Sequence, residues 1–266
     1  MNDLFTHLRG KILDGERVTD EEALQLFASH DLLAIGELAA LANQRKNGDR
    51  VFFNVNRHIN YTNICVNRCT FCAFSRGHDE NGGYTMALND ILKRVAEATE
   101  GGATEIHMVG GLHPDLPFDF YLEMLAAIKA DCPTIHVKAF TAVEIDYFAG
   151  LAGQSVREIV AELKEAGLDS MPGGGAEIFR AEVRKRICPE KISGERWLEV
   201  IETVHRAGLK TNATMLFGHV EDAGDRVDHM SRLRQLQDRT GGFQAFIPLA
   251  FQPDNTRVPD ARGVGG

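Results

Sequence analysis

At 266 residues and a net charge of −9, the chain is long enough for one α/β barrel domain that buries roughly three quarters of its unfolded surface. Its basic residues are scattered, which excludes the concentrated positive face that nucleic-acid binding needs, and no apolar run approaches the roughly 20 residues of a membrane span. Met1-Asn2-Asp3-Leu4 is not a basic stretch leading into an apolar core, so a cytoplasmic protein with a small-molecule substrate, and no nucleic-acid or membrane partner, is expected.

Residues 1–50 read as a helical extension that covers one end of a barrel. Thr19-Asp20-Glu21-Glu22 is a cap with acidic residues in the first turn, and Ala23, Leu24, Leu26 and Phe27 follow at helical spacing. Leu32, Leu33, Ile35, Leu38 and Leu41 predict a second amphipathic helix that ends near Asn47-Gly48. From residue 51 to residue 251 strands alternate with helices. Val51 to Val55 and Ile59 to Thr62 form the first strand region, followed by a helix over Leu88 to Thr99, a second strand over Glu105 to Val109 and a helix over Tyr121 to Ala130. The third strand is Ile135 to Phe140. A serine-capped helix spans Ser155 to Ala166, and a short fourth strand covers Leu168 to Met171. Then come a helix over Glu195 to Ala207, a fifth strand over Lys210 to Phe217, a helix over Val227 to Arg239 and a sixth strand over Phe243 to Phe251. Connections of that length imply parallel strands. In parallel barrels reactive residues collect where strands end, and the Cys65 loop, Gly110-Gly111, Thr141 to Glu144, Gly173 to Glu177 and Gly218-His219 all fall at such ends. Residues 252–266 lack apolar periodicity and are expected to be a loose, irregular tail.

Cys65, Cys69 and Cys72 stand at C-x3-C-x2-C on the loop that leaves the first strand. Three thiolates within eight residues, without a fourth ligand at finger-like spacing, suit an iron–sulfur cluster with one iron left open. A zinc knuckle completed by a distant histidine, His58 and His78 being nearest, and ordinary buried cysteines are the alternatives that stay open. Cys132 and Cys188 stand alone, each beside a proline, and read as buried or incidental rather than as ligands.

Other stretches carry weaker signals. Gly110-Gly111 lets a ligand approach bare backbone or simply makes a tight turn. Gly173-Gly174-Gly175 suggests close contact with a nucleotide, and Glu177 could accept from ribose hydroxyls, the alternative being a glycine turn with a solvated glutamate. Asn212 and Thr214 share one side of a strand expected to be buried on both faces, so both are expected to face the interior toward a cofactor or substrate. Arg57, His58, Lys138 and Glu144 are candidate substrate contacts, Arg57 and Lys138 for a carboxylate in particular. His219 is a proton donor or a hydrogen-bonded structural histidine.

The motif C-x3-C-x-aromatic-C, with Phe71 in the aromatic place, resembles the signature of the radical S-adenosylmethionine (SAM) enzymes. That resemblance implies a partial (β/α)6 TIM-like barrel whose three cysteines hold a 4Fe-4S cluster. SAM chelates the open iron through its methionyl amine and carboxylate, and an electron from an external one-electron reductant splits the sulfonium to give a 5′-deoxyadenosyl radical. The family's counterpart of Gly110-Gly111 binds the SAM amino group. Further runs, Phe53 to Asn60, Thr62 to Ser75, Gly110 to Phe118, Lys138 to Asp146, Pro172 to Glu177, Asn212 to Glu221 and Gln244 to Leu249, resemble the aminofutalosine synthase group of the futalosine route to menaquinone, over residues 18–256. The resemblance implies a transferase that adds the radical to the enol-ether double bond of 3-((1-carboxyvinyl)oxy)benzoate, with rearrangement, loss of the carboxyl group and consumption of SAM as co-substrate. Cyclic dehypoxanthine futalosine synthase and the FO synthase subunit share these motifs, and the cluster motif does not separate them. A reading of another class, a non-catalytic iron–sulfur electron carrier, would need a fourth cluster ligand. Relatives of this kind continue beyond the equivalent of residue 266, which implies a chain short of its carboxyl-terminal part.

Overall fold

Alternating side chains along the strands divide this chain into an outer apolar layer and an inner polar one. The computed structural model describes residues 3–258. Strands β1 (Asn56–His58), β2 (Glu105–Met108), β3 (His136–Ala139), β4 (Ser170–Met171), β5 (Lys210–Phe217) and β6 (Phe243–Ala250) form one sheet in sequence order. Every neighbouring pair is parallel, the six-stranded partial barrel expected from the alternation. Between the strands lie α4 (Leu88–Glu100), α5 (Phe118–Asp131), α6 (Ala142–Ala152), α7 (Val156–Ala166), α8 (Ala181–Ile187), α9 (Gly194–Arg206) and α10 (Ala223–Thr240). Ile106, Met108, Val137, Ala139, Met171 and Ala213 face these helices, packing with Ile91, Tyr121, Leu125, Leu163, Trp197 and Val204 in one core. Fully burying such a side chain contributes about 1.5–3 kcal/mol. The intervening residues Glu105, His107, Lys138, Ser170 and Asn212 line the inside by the period of two.

Several expectations need correction. The first strand is three residues long. Val51, Phe52 and Phe53 are 88%, 72% and 84% exposed, because an edge segment without a covering element has nothing on which to pack its apolar side chains. The ladder continues before β1 through Val55, whose carbonyl accepts from Thr104 N–H at 2.8 Å, and after it through Ile59 N–H, which donates to His107 O at 3.0 Å. The sequence reading also lacks α6 and α8. Helix α6 is buried on most of its surface, so no polar face marks its period. Helix α8 has seven residues, too few for a period to show.

The amino-terminal part contains three helices, α1 (Asp3–Asp14), α2 (Asp20–Ala28) and α3 (Leu32–Asn47). Thr19 and Glu22 form the capping box expected from the sequence. The extension docks on α10, where Arg17 pairs with Asp238 at 2.5 Å and Arg234 donates to the Val18 carbonyl at 2.8 Å. At the other end, residues 252–258 are irregular and reach the cysteine loop, with Arg257 N–H donating to Thr70 O at 2.6 Å and its guanidinium to Arg68 O at 3.0 Å. The remainder of the expected tail, 259–266, lies outside the described residues. No helix among the described residues is long and apolar enough to cross a membrane.

Candidate active site

The loop that leaves β1 is pinned from three directions. Val66 N–H donates to Leu112 O at 3.0 Å and Cys65 N–H to Arg76 O at 3.0 Å. Behind it, Gly111 N–H donates to Thr62 O at 3.0 Å, and a Cβ built on Gly111 would lie 2.2 Å from Ile64 O and 2.9 Å from the Cys65 Cβ. Gly111 is therefore glycine so that the cysteine loop can press onto the end of β2. On the far side α8 and the turn after it hold the tip. Thr70 N–H donates to Ile187 O at 2.8 Å, and Glu190 accepts from Arg68 N–H.

All three loop cysteines are free thiols, Cys69 buried and Cys65 and Cys72 partly so. Burial pushes the Cys69 thiol up to about 12, with the nearby Lys191 ammonium pulling the other way. Burial raises Cys65 as well, opposed by the backbone N–H groups of Leu112 and Asn67, while Ser75 N–H donates to Cys72 Sγ at 3.4 Å. Amide donors to sulfur and a buried cation are what thiolates need when they carry iron out of water. A single ion fits less well. Of the histidines nearest in sequence, His58 is stacked on His107 at 4.3 Å, and His78 is held by Asp79 at 2.9 Å and Asp115 at 2.7 Å. The donor set thus suits a multi-iron cluster rather than a zinc tetrahedron. Cys188, which sequence reading set aside, lies in the same buried group as Cys69.

Around the loop the rim residues are tightly engaged. Glu144, 2% exposed, accepts from the Tyr61 hydroxyl at 2.6 Å, Gly110 N–H at 3.1 Å and Thr141 N–H at 2.7 Å. Burial raises its pKa in spite of these donors. The Thr141–Glu144 run is thus the capping box of α6, and Glu144 is the strut under Gly110. A Cβ on Gly110 would meet the Tyr61 ring at 2.5 Å. The three consecutive glycines have a packing cause too. The space of a Gly173 side chain is taken by the Ala213 backbone, that of Gly174 by Thr141, and that of Gly175, at φ +85°, by Val143.

Glu177 is 6% exposed and pairs with Lys191. Burial opposes its ionisation, but the Lys191 charge and hydrogen bond hold its carboxyl below the ordinary value. Lys191 in turn stands 4.8 Å from the centre of the Phe71 ring, so the sequence-nominated Phe71 and Glu177 meet through a lysine that sequence reading did not single out. Thr214 donates to Gly173 O at 2.6 Å, while Asn212 lines an inner cavity of about 590 Å³ with Lys138, Glu105 and Ile247. Lys138 pairs there with Glu105 at 2.7 Å. Arg57, in register with Ile106, is exposed on the face opposite to His58. His219 donates from Nε2 to Leu216 O at 3.0 Å and accepts at Nδ1 from Val220 N–H at 2.7 Å. Burial lowers its pKa, so it is a neutral, fully used structural imidazole, and Glu221 Oε2 at 3.0 Å from Nδ1 does not make an ion pair with it. Tyr61, His107 and Lys191 were missed for want of a local motif; only the strand alternation could have placed His107 inward.

The family model of the radical SAM superfamily matches residues 59–233. The aminodeoxyfutalosine synthase of Thermus thermophilus is 47% identical over 255 residues, covering 96% of this chain and 68% of that protein. The 5-amino-6-(D-ribitylamino)uracil--L-tyrosine 4-hydroxyphenyl transferase of Methanopyrus kandleri is 48% identical over 211 residues, 79% of this chain and 57% of that one. The cyclic dehypoxanthine futalosine synthase of Streptomyces coelicolor is 42% identical over 248 residues, 92% and 62% of the two chains. Among solved structures, methylornithine synthase superposes with a TM-score of 0.75 at 14% identity, covering 97% of this chain and 72% of that one, a likeness of fold. With its six parallel strands and its cysteine loop at the carboxyl end of β1, this chain belongs to the radical SAM superfamily of enzymes, which use a 4Fe-4S cluster and SAM, and within it to the group that includes these three activities.

Proposed function

We propose that this chain is an aminodeoxyfutalosine synthase, joining the 5′-deoxyadenosyl carbon of SAM to the alkene of 3-((1-carboxyvinyl)oxy)benzoate. The observation that carries this reading is the 47% identity to the Thermus thermophilus synthase across 96% of the chain; at similar identity the tyrosine transferase match extends over 79%. Because the chain spans about two thirds of the synthase's length, the whole reaction is part of the proposal.

Cys65, Cys69 and Cys72 would hold the cluster, which when bound supplies one electron for reductive cleavage of the SAM sulfonium. The chain's own residues position and exclude. Leu112 and Asn67 amides and the Ser75 amide satisfy the sulfurs, and Lys191 places a buried positive charge beside Cys69. Tyr61 and Glu144 fix Gly110, whose carbonyl with that of Gly111 would meet the SAM ammonium. Phe71, backed by Lys191, walls the site against water. Asn212 and Lys138 line the inner cavity in which an aromatic acid would lie. Positioning of this kind is the main demand of a radical addition, since the reacting carbons must meet before a stray hydrogen donor does.

Anaerobic incubation with SAM, dithionite and the enol-ether benzoate, read by mass spectrometry, tests the proposal. A product containing the adenosine carbons supports it. Release of free 5′-deoxyadenosine with L-tyrosine, or with a dehypoxanthine futalosine, and no adenosine-containing product would assign the chain to a sister activity.

A further inference from the structure

The inner wall holds a second constellation. His58 and His107 are in register on adjacent parallel strands, and their rings stack with centroids 4.3 Å apart and planes 17° apart. Side chains stand roughly perpendicular to a sheet, so the two rings present parallel edges to the barrel interior. Neither side chain makes a hydrogen bond among the described residues; His58 is exposed, but half-buried His107 differs in this from His136, His205 and His219, which bond Ser170 at 2.7 Å, Thr211 at 2.9 Å and Leu216 at 3.0 Å. The ring nitrogens of His107 are also absent from the fully enclosed polar atoms that lack a partner, so they open to the interior.

The neighbours give the pair a direction. His107 is in register with Lys138, whose ammonium is tied to Glu105 below at 2.7 Å, and Asn56 donates to the same carboxylate at 3.3 Å. Lys138 and Glu105 border the open cavity of about 590 Å³, lined on its other side by Ala245 and Ile247. The volume is within the range of pockets for drug-sized ligands, roughly 300–1,000 Å³. Its polar side carries the Lys138 ammonium and the Glu105 carboxylate and the facing side is apolar at Ala245 and Ile247; the paired imidazoles stand outside that lining, in register with Lys138 at its border.

We infer that His58 and His107 form the binding seat of a carboxylate on the acceptor substrate, an aromatic acid whose ring lies toward Ile247. Two N–H donors on parallel edges can each take one carboxylate oxygen, and Lys138 adds a nearby positive charge without being the direct contact. His107 is the specificity residue here, and Arg57 on the opposite face takes no part. This assignment rests on the small-molecule acceptor chemistry proposed above, but not on which acid is used, since both the enol-ether benzoate and L-tyrosine carry the required group.

The test uses the anaerobically reconstituted protein with SAM, measuring equilibrium binding of each acid and of its methyl ester by calorimetry, with iron content and SAM cleavage without acceptor as controls. Wild type should favour the acid over its ester roughly tenfold or more, as loss of a charge-assisted hydrogen bond predicts. His107→Leu should erase that preference while iron content and unprompted SAM cleavage stay as in wild type, and His107→Asn, which keeps a donor, should retain most of it. An unchanged acid preference in His107→Leu, on whichever acid binds, overturns the assignment. Binding of tyrosine but not of the benzoate would overturn the proposed reaction and still support the carboxylate seat if His107→Leu loses the preference for tyrosine over its ester.

Discussion

The ammonium of Lys191 lies 4.8 Å from the centre of the Phe71 ring, and the same nitrogen is paired with the buried Glu177. Lys191 lies 14 positions from Glu177 but 120 from Phe71, so the contact with the ring exists only because α8 and its following turn fold back over the cysteine loop. It ties three rim segments into one unit. The cation holds Glu177 ionised, braces the aromatic residue between two cysteines, and offsets negative charge at Cys69.

Removing that cation therefore costs more than a surface pair would. Lys191→Met leaves a carboxylate that is 6% exposed without its partner, and should destabilise the protein by about 3–5 kcal/mol. The double variant Lys191→Met/Glu177→Gln should recover much of this. Urea unfolding of the single and double variants gives the comparison; equal losses in both would mean the pair is not coupled.

Gly111→Ala should separate folding from cluster assembly. The new methyl would sit 2.2 Å from Ile64 O, so the cysteine loop must shift. A cost of about 1–3 kcal/mol is expected, with iron per chain well below wild type after anaerobic reconstitution. Gly36→Ala in α3, where a Cβ meets nothing within 4 Å, should gain about 0.5–1 kcal/mol and reconstitute normally.

Tyr61→Phe removes one of three donors to a buried carboxylate. Glu144 is then less well satisfied, and a loss of about 1–3 kcal/mol should follow. Glu144→Gln should release Gly110 and weaken SAM binding without lowering iron content, which equilibrium binding and iron analysis read independently. If both variants bind SAM as wild type does, Glu144 is not the strut of that segment.

His229 sets an acid limit. It is fully buried, stacks on Phe179 at 4.1 Å and donates from Nε2 to Thr214 O at 2.9 Å, and its Nδ1 has no partner among the described residues. Burial lowers its pKa to about 4. The unfolded chain therefore binds a proton below about pH 6.5 that the folded chain refuses until about pH 4. The sign is a stability fully present above the unfolded pKa and lost as pH falls through this window, by about 3 kcal/mol for this residue. His107 and His205 are also lowered to about 4 and titrate in the same window. Urea unfolding at several pH values should show the slope, and His229→Gln should flatten it by roughly a third.

How much of this was legible in advance follows from range. The strand–helix alternation and the capping residues Thr19, Ser155 and Gly167 are local signals, and β5 matches its predicted span residue for residue. The cysteine spacing is local too. Long-range causes were invisible: the side-chain spaces of Gly173, Gly174 and Gly175 are taken by Ala213, Thr141 and Val143. Glu144 looked available to a substrate because its partners Tyr61 and Gly110 lie 83 and 34 positions away. The inward call on Asn212 needed only the period of two; that Arg57 falls on the other face needed the register with β2.

The account depends on three thiols that leave one iron open to SAM, and electron paramagnetic resonance of the reduced, reconstituted protein addresses this directly. Addition of SAM should change the spectrum of the reduced four-iron cluster, and Cys69→Ala should lose both the cluster and SAM cleavage. A spectrum indifferent to SAM, or a Cys69→Ala protein that still assembles four irons and cleaves SAM, would contradict it.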